Sequence, residues 1–154
     1  MSIVIEGDTR YIAYNTFQPK IQKCLDLLKD KANVYYVWLL KYNLKVRAAQ
    51  RSGANFADAA IDIAQPTFDA SETWLASVLI HEAIHFWQYR SGKYKGGANS
   101  KNEEQEANKY QLGVLRLVGA SQAEIAHMLS QDGGHADRNG DGVYDEKDYE
   151  DRDY

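Results

Sequence analysis

The sequence predicts an α+β fold, a small sheet packed on one long helix and two further helices, and three observations carry that expectation. Residues 44–48 and 60–64 alternate apolar and polar side chains, as half-buried strands do. Three helix-start signatures, a capping residue followed three positions later by glutamate, stand at Asp69 with Glu72, Ser100 with Glu103 and Ser121 with Glu124. Apolar residues follow these starts at spacings of three and four, the period of one helix face. The 154 residues suit one domain with a sizeable core, so residues 1–154 read as a single unit whose last part, 131–154, is an acidic tail.

Taken in order, Ile3, Val4 and Ile5 read as a short strand ending at a Gly7-Asp8 turn, with residues 11–14 as its pairing partner. Pro19 opens a helix over residues 19–30, where Ile21, Cys24, Leu25 and Leu28 form an apolar stripe. Cys24 is the chain's one cysteine, so it makes no internal disulfide and reads as core. Residues 34–42 are aromatic and branched enough for a strand, but their length and paired leucines favour a second helix. Residues 52–55 connect the two alternating strands, and Pro66 ends the second of them. The helix after Asp69 carries Trp74, Leu75, Val78 and Leu79, runs to about Arg90 and stops at Gly92; polar, glycine-rich residues 93–99 form an exposed loop. Ala107, Tyr110, Val114 and Leu117 make the core stripe of the next helix, which Gly119 breaks. A short helix from Ser121 to about Ser130 ends at Asp132-Gly133-Gly134.

Hydrophobic residues make up 44% of the chain and charged ones 26%, and the longest strongly apolar run, residues 34–40, is too short to cross a bilayer. No membrane association is therefore expected. Residues 1–10 lack the basic head and apolar middle of a secretory signal, which leaves a cytoplasmic location or a non-classical export route as the expectation. Nine acidic residues against three basic ones lie in residues 132–154, leaving 13 acidic and 15 basic of the chain's 22 and 18 elsewhere. With no basic stripe, nucleic acid is not an expected partner.

The chemistry is concentrated in His81-Glu82-Ala83-Ile84-His85, which falls inside the helix that follows Asp69. Imidazoles four residues apart stack on one helix face and converge on a point the size of a metal ion, and the glutamate after the first of them is within reach of a water held there. Catalytic zinc takes three protein ligands and keeps one position open, so a third must come from elsewhere. A third histidine six residues after His85 is ruled out, because Gln88 and Ser91 stand where that form needs glycine and histidine. The next helix offers Glu103, Glu104 and Glu106, of which Glu103 is placed to cap its own helix start. Glu104 is the better candidate, with Asn108 one turn on to accept a hydrogen bond from the far nitrogen of a ligating histidine.

His81 to His85 followed by Glu104-Gln105-Glu106-Ala107-Asn108 resembles the zincin metallopeptidases of the glutamate-ligand type, the gluzincins, with asparagine at 108 where that family more often has aspartate. The resemblance covers the middle third of the chain. It implies a zincin-like fold and a zinc held by His81, His85 and Glu104, with Glu82 as general base in the hydrolysis of a protein or peptide substrate. His127, His135, Tyr94 and Tyr110 are the candidate oxyanion donors, and the strand over residues 60–64 is the implied substrate-side edge. A looser similarity, carried by residues 3–8, Trp87-Gln88 and the small size, is to metallopeptidase toxin and effector domains of bacterial polymorphic toxins. Hydrolysis of peptidoglycan crosslinks shares the same zinc chemistry.

The acidic tail carries a second metal pattern. Asp137, Asn139, Asp141, Asp145 and Asp148 put side-chain oxygens at loop positions 1, 3, 5, 9 and 12, Gly142 supplies the sharp turn at 6, and Val143 offers its carbonyl at 7. These offsets suit Ca²⁺ and resemble the loops of EF-hand and dockerin modules, with aspartate for the usual glutamate at position 12. Calcium is expected to fold the tail structurally. The alternative function is then a calcium-dependent binding or docking module on an inactive zincin-like fold.

Overall fold

The computed structural model describes residues 3–93 and 100–131. Its first turn depends on Gly7. A Cβ there would lie 2.3 Å from backbone atoms of Tyr14, so only glycine lets strand β1 (Ile5–Glu6) run directly against the start of helix α1 (Tyr14–Lys31). Between them Asp8 accepts the backbone N–H of Arg10, and the Asp8 N–H donates to the Ile12 carbonyl. Residues 11–14 are therefore not a pairing strand: one bridge, Asp8 to Ile12, closes a side-chain-braced turn, and the chain is helical from Tyr14. Pro19 lies inside α1 instead of opening it. The N–H it lacks would have faced the carbonyl of Asn15 in the first turns of the helix, where both residues are exposed.

Helix α2 (Asn33–Lys41) follows, as expected, and strands β2 (Lys45–Ala48), β3 (Gly53–Asn55) and β4 (Ala60–Ile63) complete a four-stranded mixed sheet in the order β1-β2-β4-β3. β2 runs parallel to β1 and β4, with Val46 beside Ile5 and Ile61, while β3 pairs antiparallel with β4. Residues 53–55, expected as a connector, are thus a strand, because Gly53, Ala54 and Asn55 contribute backbone hydrogen bonds that their composition does not advertise. Two consequences follow. β4 is interior, so the strand over residues 60–64 is not the substrate-side edge; among the described residues the free edge on that side belongs to β3. Pro66 does more than end β4, since it sits in the first turn of a short helix α3 (Gln65–Phe68).

One face of the sheet, with Val46, Ala48, Ile61 and Ile63 buried, covers the helices. The other carries Glu6, Lys45, Arg47 and Asp62, with Arg47 donating to Asp62 at 2.9 and 3.2 Å and to Asp58 at 3.1 Å. Helix α4 (Glu72–Ser91) runs through the middle, against α1, α2, β3, β4 and α5 (Ser100–Leu117). Fourteen of its 20 residues are buried, and a helix buried on nearly all sides has no amphipathic stripe to betray its orientation. Its N-cap is Ser71, which accepts the Trp74 N–H at 3.1 Å; Asp69 closes α3. Gly92 ends it at φ 68°, the left-handed conformation expected of a glycine stop. On α5 Leu117 is half exposed and Leu115 takes its place in the core, because the inward stripe begins at Glu104 and repeats through Asn108, Gln111, Leu115 and Val118. Helix α6 (Gln122–Ser130) is capped by Ser121, while the Glu124 carboxylate accepts from Ser71 and Thr73 and ties α6 to the start of α4.

Candidate metal centre

Antiparallel neighbours α4 and α5 bring the three expected ligands together. One ligand atom from each of His81, His85 and Glu104 lies within 4.8 Å of the others, and Glu104 reaches both imidazoles, Oε2 to His81 Nε2 at 3.1 Å and Oε1 to His85 Nε2 at 2.9 Å. Of the three glutamates, Glu104 is the one that joins the two histidines in a group able to hold a metal ion. Glu104 points inward, the Glu106 carboxylate accepts from Gln88 and Lys93, and Glu103 presents its backbone carbonyl to Gln88.

The hydrogen bonds behind the histidines fix which nitrogen faces the cluster. Gln111 donates through Nε2 to Ser77 Oγ at 3.0 Å, and that hydroxyl in turn donates to the Trp74 carbonyl, so Gln111 must turn its Oε1 toward His81 Nδ1, 2.8 Å away. Gln88 donates through Nε2 to two acceptors, the Glu103 carbonyl at 2.9 Å and Glu106 Oε1 at 3.1 Å, which leaves its Oε1 for His85 Nδ1 at 2.7 Å. Both Nδ1 atoms therefore carry protons. That leaves Nε2 as the nitrogen each ring turns toward Glu104, and the one free to ligate a metal once it carries no proton.

Asn108 does not take the supporting role expected of it. It is buried, yet neither of its side-chain polar atoms has a hydrogen-bond partner, and Gln111, three residues further along the same face, does the work on His81. The sequence reading missed both glutamines. The signal was spacing alone: Gln111 is seven residues, two turns, after Glu104, and Gln88 is three after His85.

Glu82 is the second buried group without a partner, at both carboxylate oxygens. A carboxylate taken out of water with no donor is costly, so its position one step round the helix from His81 marks a place where a donor is expected. His85 feels this charge. Burial alone would lower its pKa, but the charge of Glu104 and its hydrogen bond, the charge of Glu82 and the Gln88 contact outweigh burial and push it up to about 9 in the metal-free protein.

The donor set fits zinc by its chemistry: two imidazole nitrogens with fixed tautomers and one carboxylate, all buried, beside a free carboxylate. Of the expected oxyanion donors, Tyr110 meets Tyr35 edge-on and His127 lies against Trp74. Six residues separate Tyr110 from Glu104, about 240° round α5, so its ring leaves from the far side of that helix. Tyr94 and His135, and the whole calcium pattern of Asp137, Asn139, Asp141, Val143, Asp145 and Asp148, lie outside the described residues. Among the described residues no helix is long and apolar enough to cross a membrane. Comparison with protein-family models, with curated proteins and with solved structures finds no match to this chain.

Proposed function

We propose that the protein is a zinc-dependent peptidase of zincin type, with His81, His85 and Glu104 as ligands and Glu82 as general base. One observation carries the reading: three convergent donor atoms with their supporting hydrogen bonds in place stand beside a buried carboxylate that has no partner. Zinc in such a donor set supplies Lewis acidity, which polarises a carbonyl and makes water acidic near neutral pH. The chain supplies the rest. Glu82, free at both oxygens, takes the proton of the attacking water as its oxygen joins the carbonyl carbon, and returns that proton to the amine as the C–N bond breaks. Gln111 and Gln88 keep each Nδ1 protonated and so hold both rings in the ligating tautomer throughout. The free edge of β3, antiparallel to its neighbour, is where an extended substrate adds a strand.

The test is Glu82→Gln. Removing the proton acceptor from an otherwise intact site lowers peptide hydrolysis by about 10²–10⁴-fold with zinc content unchanged; equal turnover by this variant refutes the assignment. We also propose, on the spacing of Asp137, Asn139, Asp141, Val143 and Asp148, that Ca²⁺ binds the acidic segment and stabilises it. Calcium at a hundred times its dissociation constant should contribute about 2.7 kcal/mol and raise the melting temperature of chelator-treated protein. No shift removes calcium from the account.

A further inference from the structure

The residues of α4 divide by direction. His81 and Gln88 face α5, through Gln111 and through the Glu103 carbonyl, while Phe86 faces the β3–β4 turn, with its ring 5.0 Å from that of Phe56. Between these two sides lies a strip formed by Glu82, His85 and Tyr89. Glu82 and Tyr89 are seven residues apart, two turns with a drift of about 20°, and His85 is one turn from Tyr89. Of the three ligands His85 has the most exposed side chain, 11% against 0% for His81 and 6% for Glu104. Along the strip the residues pass from buried Glu82 and His85 to Tyr89 at the surface, one turn beyond His85.

At that end stands an apolar surface. Tyr89 is 64% exposed and Phe56 39% exposed, and their rings stack at 4.4 Å and 14°. The other aromatic group near the end of α4, Trp38 with Tyr42 and Trp87, has Lys41, Arg90 and Lys93 over its rings. Among the described residues no cation lies over Phe56 or Tyr89. Phe56 directly follows β3, whose free edge runs beside it, so a strand laid on that edge brings alternate side chains, about 6.6 Å apart, past the stacked pair.

We propose that Phe56 and Tyr89 form an apolar subsite continuous with the metal centre, which selects peptides carrying an aromatic or large aliphatic side chain close to the bond that is cut. The proposal rests on the peptidase reading for its substrate class. A flat stacked pair offers a third ring both a face and an edge, and burying that ring favours it strongly over a methyl group.

The test uses zinc-loaded Glu82→Gln protein, which holds peptide without turnover, and two blocked hexapeptides that differ only in Phe or Ala at one central position. NMR titration should show the Phe peptide binding about tenfold tighter or more, with shifts at Tyr89 and Phe56. Tyr89→Ala and Phe56→Ala, each checked for unchanged zinc content and melting, should remove that preference and leave the Ala peptide's affinity as it was. Equal affinities, no binding of either peptide, or a preference that survives both variants overturns the proposal, as does self-association that Tyr89→Ala abolishes. The peptidase reading fails separately, if wild-type zinc-loaded protein binds the Phe peptide with this preference and leaves it uncut.

Discussion

Gln111→Ala set against Asn108→Ala separates the support observed at the candidate metal centre from the one expected of the sequence. Gln111 is buried and makes two hydrogen bonds, to His81 Nδ1 at 2.8 Å and to Ser77 at 3.0 Å. Truncating it leaves the His81 Nδ1–H buried and unpaired, which costs about 1–3 kcal/mol of fold stability. It also frees the ring to adopt the other tautomer, and loss of such a partner lowers metal affinity by about 10–100-fold, about 1.4–2.7 kcal/mol. Asn108 is also buried but has no partner at either polar atom, so its truncation removes no hydrogen bond and should change zinc affinity by less than about twofold. Competition against a chromophoric chelator gives both affinities, and thermal melting of the metal-free variants gives both stabilities. The reasoning is refuted if Asn108→Ala weakens zinc more than Gln111→Ala does, or if neither has an effect.

The remaining predictions concern two titrating groups. His85 in the metal-free protein is raised from 6.5 to about 9, so the stabilisation it gives is complete below about pH 6.5 and is lost as the pH rises through 9. Melting temperatures of chelator-treated protein should fall over that interval while zinc affinity, which requires the deprotonated ring, climbs; a metal-free melting temperature that holds steady to pH 9 contradicts the assignment. Cys24 has its thiol pushed up to about 12, by burial first and then by the nearby charge of Glu72, against a smaller opposing effect of Lys20. A thiol-reactive dye should therefore modify native protein no faster than the protein unfolds, and rapid labelling of folded protein shows the thiol is open.

The parts of the fold that were legible in the sequence are those whose signal is local. The helix start at Ser121, the stop at Gly92 and the strands around Val46 and Ile61 depend on a cap, a left-handed glycine or alternation within a few residues. Strand β3 was not legible, because its pairing with β4 is made by backbone groups and Gly53, Ala54 and Asn55 carry no strand pattern. With β3 in place, residues 60–64, which the resemblance implied as the substrate-side edge, are interior. At the candidate centre, His81, Glu82 and His85 follow from helix geometry, and Glu104 was preferred because Glu103 read as a helix cap, with Glu106 left open until the structure placed its carboxylate on Gln88 and Lys93. Gln111 escaped because which α5 side chain reaches His81 Nδ1 is set by how α4 and α5 cross, and Gln88 because its orientation toward His85 depends on the acceptors that α5 offers its amide. The Phe56–Tyr89 stack joins residues 33 positions apart across two elements and leaves no trace in local spacing.

Anomalous diffraction at the zinc edge, on crystals of protein purified without added metal, bears most directly on the central claim. One full-occupancy peak per chain is predicted, bounded by His81 Nε2, His85 Nε2 and the Glu104 carboxylate and lost in His81→Ala. Zinc bound elsewhere, or a peak that persists without His81, contradicts it.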